Sequence, residues 1–220
     1  VRSRRQRQMC IRDRLKEYIQ SADLLLCLGA RLGENTTGGY SLLNIPNPDI
    51  PLIHVHPDPD ELGRVYTPSI SLACNSADFL EGALASGLKK RSDLTNIKND
   101  YYAWREPFET PGLVKMEKII LQLNDVLAED AIVTNGAGNY AAWLHRYFQY
   151  KSFKTQLAPT SGSMGYGIPA AISAKLEYPN TEVVCLAGDG CAQMSIQEFG
   201  TAMQYKANII IIISNNGVYG

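Results

Sequence analysis

From Leu15 onward the chain alternates short apolar runs, polar glycine-bearing turns and stretches of helical spacing. Ala22 to Leu28 (ADLLLCL) ends at Gly29 and reads as a buried strand. The loop Gly29 to Gly39 follows, and Pro51 to His56 (PLIHVH) predicts a second strand closed by Pro57. Asp58-Pro59-Asp60-Glu61 reads as an N-cap with acids in a first helical turn. Ile70 to Ala73 predicts a third short strand, and Ala77 to Leu84 a helix. This βαβ-like alternation predicts a small α/β domain over residues 15–87. Gly87 to Gly112 changes character, with Lys89, Lys90, Arg91, two tyrosines, a tryptophan and two prolines. Residues 88–112 therefore read as a linker that partly packs on the surface.

A second α/β block covers residues 113–220. Leu113 to Leu127 carries Met116, Ile119, Ile120, Leu123 and Leu127 at helical spacing. Ala131 to Thr134 (AIVT) is a strand, followed by the turn Asn135 to Asn139 and a helix near Tyr140 to Phe148. Gly165 to Leu176 predicts another helix, with Pro169 in its first turn, where a missing N–H is tolerated. Glu182 to Ala187 (EVVCLA) is a strand that runs into Gly188-Asp189-Gly190, and a helix is expected near Ala192 to Lys206. Ile209 to Ser214 is an apolar strand ending at Asn215-Asn216-Gly217. Strands apolar throughout fit a parallel sheet covered on both faces. Parallel strands bring their carboxyl ends to one edge, where ligands of open α/β sheets bind. The turns 135–139, 188–190 and 215–217 should meet there.

Composition narrows the function classes. The 220 residues are 45% hydrophobic and 20% charged, which is ordinary for a globular chain. The net charge of −1 gives no footprint for nucleic acid or an anionic membrane. The longest aliphatic run, Ile209 to Ile213, is far short of the roughly 20 residues of a membrane helix. Cys10, Cys27, Cys74, Cys185 and Cys191 are scattered, with no CxxC pair, so a reduced, cytoplasmic protein is the plain reading. Val1 to Arg14 holds six arginines against Asp13. A nucleic-acid arm or a transit peptide would look similar. The string Arg5 to Asp13 instead resembles translated sequencing adapter, so residues 1–14 read as non-native. The stop at Gly220, straight after a motif, suggests a fragment cut at both ends.

The chemistry-bearing pattern is Gly188-Asp189-Gly190 followed, after 24 intervening residues, by Asn215-Asn216. Asp189 offers an anionic oxygen to a divalent cation and Asn216 a neutral amide oxygen, with a backbone carbonyl just beyond as a third donor. Mg²⁺ takes few protein oxygens and keeps positions for phosphates and water. The two glycines allow close approach of backbone to phosphate, and a following helix points its N–H groups at the anion.

This constellation resembles the thiamine diphosphate motif of the acetolactate synthase, pyruvate oxidase and benzoylformate decarboxylase family. Ser161 to Ala171 (SGSMGYGIPAA) and Val133 to Tyr140 with Trp143 resemble the same family, closest to its acetolactate synthase-like members. Gly29-Ala30-Arg31 and Ile53 to Leu62 resemble its central domain. The resemblance implies two Rossmann-like parallel-sheet domains, a partial central domain and a diphosphate-binding domain. It implies thiamine diphosphate- and Mg²⁺-dependent conversion of 2-oxo acids, by decarboxylation with carboligation, in a full-length homodimer or homotetramer.

Carried over by residue, Asp189, Asn216 and the Val218 carbonyl would hold Mg²⁺. Gly188 belongs to the same motif, and Gly190, Cys191, Asn139 and Tyr140 would contact the diphosphate. The Gly162 carbonyl would accept from the cofactor's 4′-amino group, and Met164 would be the apolar wedge that bends it. The family's activating glutamate belongs to a preceding domain, so no catalytic residue is assigned in this chain and the isolated piece is expected to be inactive. Pro57-Asp58-Pro59-Asp60 departs from the synthases' flavin-binding sequence, which counts against FAD, and Asn139-Tyr140 replaces a common Gln-His pair. A decarboxylase or oxidase of the same family, and a non-catalytic dinucleotide-binding or scaffold module, remain open alternatives. His54, His56, Asp58 and Asp60 look like a metal cluster by composition, but they read more simply as a strand end and a helix cap. Cys191 reads as a small packing residue, and Glu198 as a solvated or capping acid.

Overall fold

A computed structural model describes residues 10–87 and 95–217. Residues 1–9 of the basic stretch, residues 88–94 of the expected linker, and Val218 lie outside the described residues. The chain divides between Trp104 and Arg105 into two compact units. Among the described residues, no helix is long and apolar enough to cross a membrane.

The first unit opens with α1 (Cys10–Gln20), which starts inside the stretch read as non-native and runs past its expected boundary at residue 15. Strands β1 (Leu25–Leu28), β2 (Leu52–His56) and β3 (Ile70–Ala73) form a parallel sheet in that order. Helix α2 (Ser76–Ala85) follows β3. The core is Cys27, Leu43, Ile50, Leu52 and Tyr66, with Leu52 and Tyr66 almost fully buried. Every residue of β3 is exposed, and so are Ile210 and Ile213 of the second unit's last strand (Ile210–Ser214), so the expectation of strands covered on both faces fails at these two sheet edges. β3 is an edge strand, and its Ile70 and Leu72 face solvent. The expected linker also contains a helix, α3 (Thr95–Arg105).

The second unit carries a four-stranded parallel sheet. Its strands are β4 (Ile132–Asn135), β5 (Gln156–Leu157), β6 (Val183–Gly188) and β7 (Ile210–Ser214), in the order β5-β4-β6-β7. Every residue of β4 and β6 is buried, as their unbroken apolar runs predict for central parallel strands. Helices α4 (Met116–Val126) and α5 (Ala141–Tyr147) cover one face, where Ile120, Val133, Leu144, Tyr147 and Leu186 are fully buried. Helix α6 (Gly167–Glu177) covers the other face through Ile168, Ala171 and Ile172, packed with Val183 and Cys185. Thr134 Oγ1 donates to the Gly167 carbonyl at 2.8 Å and ties α6 to β4 without leaving a buried hydroxyl unpaired.

The single helix expected over 192–206 is two. Helix α7 (Asp189–Gln193) and α8 (Glu198–Gln204) are separated by a turn. Across it the bonds run from each N–H to the carbonyl three residues back: Ser195 to Ala192, Glu198 to Ser195, Phe199 to Ile196. Ser195 and Ile196 are weak helix formers, one competing for backbone bonds and one β-branched, and at the turn Ser195 is buried while Met194 and Ile196 are exposed. Sequence alone also gave no sign of β5, two residues long and aligned by Val133↔Gln156 and Thr134↔Leu157.

Candidate functional site

Because β4, β6 and β7 are neighbours and parallel, their carboxyl ends lie side by side. Asn135, Gly188 and Ser214 end the three strands. The turns beyond them open onto one cavity of about 490 Å³. It is lined by Ala137 to Tyr140, Gly188 to Cys191, Ser214 and Asn216, with Met116, Trp143 and Met164 closing its sides. Eight of the ten residues singled out in the sequence therefore share this cavity: Asn139, Tyr140, Met164, Gly188, Asp189, Gly190, Cys191 and Asn216. Gly162 does not reach the lining, and Val218 is outside the described residues.

The first turn of the cavity floor is close-packed. A Cβ built on Gly136 would collide with Cys191 Sγ and stand 2.9 Å from the Tyr140 hydroxyl. Glycine there lets the two turns touch. Asn135, almost wholly buried, donates from Nδ2 to the Gly136 carbonyl at 2.8 Å and holds the turn from behind.

Cys191, 3% exposed, is the junction between loops. Its Sγ accepts from the Tyr140 hydroxyl at 3.4 Å and from the Gly165 N–H at 3.1 Å. Gly165 reaches it with φ +81, a left-handed conformation that a side chain would oppose. Its neighbour Met164 is thereby carried to the cavity wall and remains 37% exposed. Burial raises the Tyr140 phenol above its ordinary range, and the Cys191 contact adds to this, so the phenol is a protonated donor at neutral pH. Burial also pushes the Cys185 thiol, on β6 behind the site, from 9.0 to about 11.

Asp189 opens α7 directly after Gly188, and Asn216 lies just past β7. Both line the cavity, and a carboxylate with an amide oxygen is the donor chemistry that Mg²⁺ prefers. The helix behind them has five residues rather than the long element expected, which limits its dipole to little more than one turn.

The compositional cluster in the first unit resolves differently. His54 Nε2 donates to the Ala30 carbonyl at 3.0 Å, His56 Nδ1 accepts from the Asp58 N–H, and Asp58 Oδ1 caps the Asp60 N–H. Strand end and cap account for all of them. Among the described residues, no group of three or more His, Cys, Asp or Glu could hold a metal ion. Glu198 stands in the first turn of α8, where an acid complements the helix dipole.

Two family models match the chain. Residues 136–220 match the C-terminal TPP-binding domain of thiamine pyrophosphate enzymes, and residues 7–82 match their central domain. The chain belongs to the thiamine pyrophosphate enzyme family. The second match begins inside the basic stretch. Curated relatives include the acetolactate synthase large subunit of Porphyra purpurea, 31% identical over 207 residues. The alignment spans 90% of this chain and 34% of that relative. The acetolactate synthase large subunit of Haemophilus influenzae is 29% identical, over 92% of this chain and 36% of its own length. The isozyme 2 large subunit of Escherichia coli (strain K12) is 29% identical, over 90% and 36%. The chain thus spans about a third of the length of the curated relatives it matches.

The motif left some cavity residues unmarked. Ser214 ends β7 beside the GDG strand, and the rule that ligands sit at parallel-strand carboxyl ends could have found it. Trp143, part of the resemblance but given no role there, is one helical turn beyond Tyr140 and shares its face. Met116 comes from α4, before the whole βαβ unit, and nothing local in the sequence marks it.

Proposed function

We propose that this chain supplies the diphosphate- and Mg²⁺-binding half of the cofactor site in an acetolactate synthase-like enzyme. The enzyme would use thiamine diphosphate to decarboxylate a small 2-oxo acid and join the product to a second one. The observation that carries the reading is one cavity in which Asp189 and Asn216 stand beside the glycine turns 136–138 and 188–190. The donor set fits the cation, and the glycines that flank Ala137 and Asp189 suit close backbone contact with phosphate.

In this reading Asp189 and Asn216 hold Mg²⁺, joined by the Val218 carbonyl. Gly190, Cys191, Asn139 and Tyr140 surround the phosphates, and Met164 offers its thioether as an apolar support for the bent cofactor. Gly162 contributes its carbonyl to the aminopyrimidine. The bound cofactor supplies an electron sink for loss of CO₂, which no side chain of the chain can provide. The chain's own task is placement: its oxygen ligands would hold the cation that neutralises the diphosphate, and its apolar wall would hold reacting groups in register. The domain boundaries of this reading are 15–87 for the central piece and 113–220 for the cofactor piece. The working enzyme is a cytoplasmic homodimer or homotetramer that acts without nucleic acid or membrane.

The test is turnover by the full-length protein supplied with thiamine diphosphate, Mg²⁺ and pyruvate. Acetolactate as the product supports the synthase reading. Free aldehyde would point to a decarboxylase of the same family. Acetyl phosphate or acetate formed with consumption of oxygen would point to an oxidase.

A further inference from the structure

Met164 sits on a loop with open space around it. It lines the 490 Å³ cavity, and with Ser163, Gly165 and Tyr166 it lines a second cavity of about 610 Å³. Gly162 and Gly165 stand on either side of Ser163 and Met164, both in the left-handed region at φ +70 and +81. A loop between two openings draws little support from packing, so its place depends on a few specific contacts. Those contacts come from α7. The Gly165 N–H donates to Cys191 Sγ at 3.1 Å, and a Cβ on Gly165 would stand 3.2 Å from the Cβ of Met194, just past the end of the same helix. The thiol is itself held in place. Cys191 is buried, and its sulfur accepts from the Tyr140 hydroxyl at 3.4 Å. The Tyr140 ring packs against the core cluster of Ile120, Val133, Leu144, Tyr147 and Leu186, so the phenol that orients the sulfur is anchored in the core. One line of contacts thus runs from the core through Tyr140 and Cys191 to Gly165, the neighbour of Met164.

We propose that Cys191 is the positioning residue for Met164: its buried sulfur, acting through the Gly165 N–H, sets where the thioether stands in the cavity wall. The consequence for cofactor affinity rests on the cofactor reading above. The role is compatible with phosphate contact by Cys191. As the third residue of α7 it has a backbone N–H with no partner inside the helix, so side chain and backbone serve different neighbours.

The test begins without cofactor, by nuclear magnetic resonance of the full-length protein isotope-labelled at its methionine methyl groups. Wild type is compared with Cys191→Ser and Cys191→Ala, each checked for folding by circular dichroism. The Met164 methyl signal, identified by its loss in Met164→Ala, should shift in Cys191→Ala. It should stay near its wild-type position in Cys191→Ser, whose hydroxyl still accepts a hydrogen bond. Met116 lines the same cavity from α4, and its methyl signal should hold still in both variants. A Met164 signal unmoved in Cys191→Ala, or one that moves together with Met116, would overturn the inference. Hydrogen exchange at the Gly165 amide needs no variant: exchange in wild type as fast as that of an unbonded amide would also overturn it.

Calorimetric titration with thiamine diphosphate and Mg²⁺ reads the consequence. Cys191→Ala should weaken affinity about three- to tenfold, the scale of one lost hydrogen bond, and Cys191→Ser should restore most of it. In a Met164→Ala background the same Cys191→Ala change should alter affinity by less than about twofold, because an effect transmitted through Met164 disappears with it. An equal loss in both backgrounds would overturn the inference and leave the cofactor reading standing. Failure of wild type to bind would remove the cofactor reading, while the Met164 signal and the Gly165 amide would still decide whether Cys191 places the loop.

Discussion

Gly167 and Gly136 meet backbone to backbone: a Cβ on Gly167 would stand 2.9 Å from the Gly136 nitrogen. The same Cβ would lie 3.1 Å from the Asn135 carbonyl carbon and 3.0 Å from Cys185 Sγ. The start of α6 is therefore pressed against the turn that floors the cavity. This contact couples the packing of the sheet to the shape of the site.

Gly167→Ala should cost stability, because backbone cannot yield as a flexible side chain does. We expect a loss of about 1–3 kcal/mol, the usual scale of overpacking. Urea denaturation followed by circular dichroism would read it. A midpoint equal to wild type would contradict the contact.

Leu144→Ala probes the layer beneath the site. Leu144 is fully buried with Ile120, Val133, Tyr147 and Leu186. Truncation should destabilise by about 2–5 kcal/mol. A change under 1 kcal/mol would mean that α5 does not pack as described.

Met164→Ala should behave oppositely. Met164 is 37% exposed at the cavity wall, so its truncation should change stability by no more than about 0.5 kcal/mol. Cofactor affinity should fall all the same, and calorimetry on the folded variant separates the two effects. Unchanged affinity would remove Met164 from the site.

Alkaline pH should unfold the chain in a defined window. The Cys185 thiol is raised from 9.0 to about 11 by burial, partly offset by its bond with Thr134. Between those values the unfolded chain has lost a proton that the folded chain keeps. Stability is therefore full below pH 9 and declines as pH rises toward about 11. Tyr150, raised by burial from 10.0 to about 12, extends the decline. Thermal melts from pH 8 to 11 should show the fall, and Cys185→Ala should soften its first part. A flat profile would contradict the burial.

The strands were legible because central parallel strands are buried on both faces, so Val183 to Gly188 and Ile132 to Asn135 appear as unbroken apolar runs. Once those strands were assigned, most of the cavity followed, since Gly188, Asp189 and Asn216 sit at or just past strand ends. What local pattern could not show depends on contacts made elsewhere. Strand β5 exists only through its pairing with β4. The break between α7 and α8 has no glycine or proline over residues 194–197 to mark it, and Met116 reaches the cavity from a helix before the sheet begins. Helix α3 was hidden because its polar composition, with Tyr101 and Trp104 near prolines, resembles a linker.

The most direct measurement is calorimetric titration of the protein with thiamine diphosphate, with and without Mg²⁺, in wild type and Asp189→Ala. The account predicts binding that requires Mg²⁺ in wild type and disappears in a folded Asp189→Ala variant. Equal binding by both proteins, or binding indifferent to Mg²⁺, would contradict it.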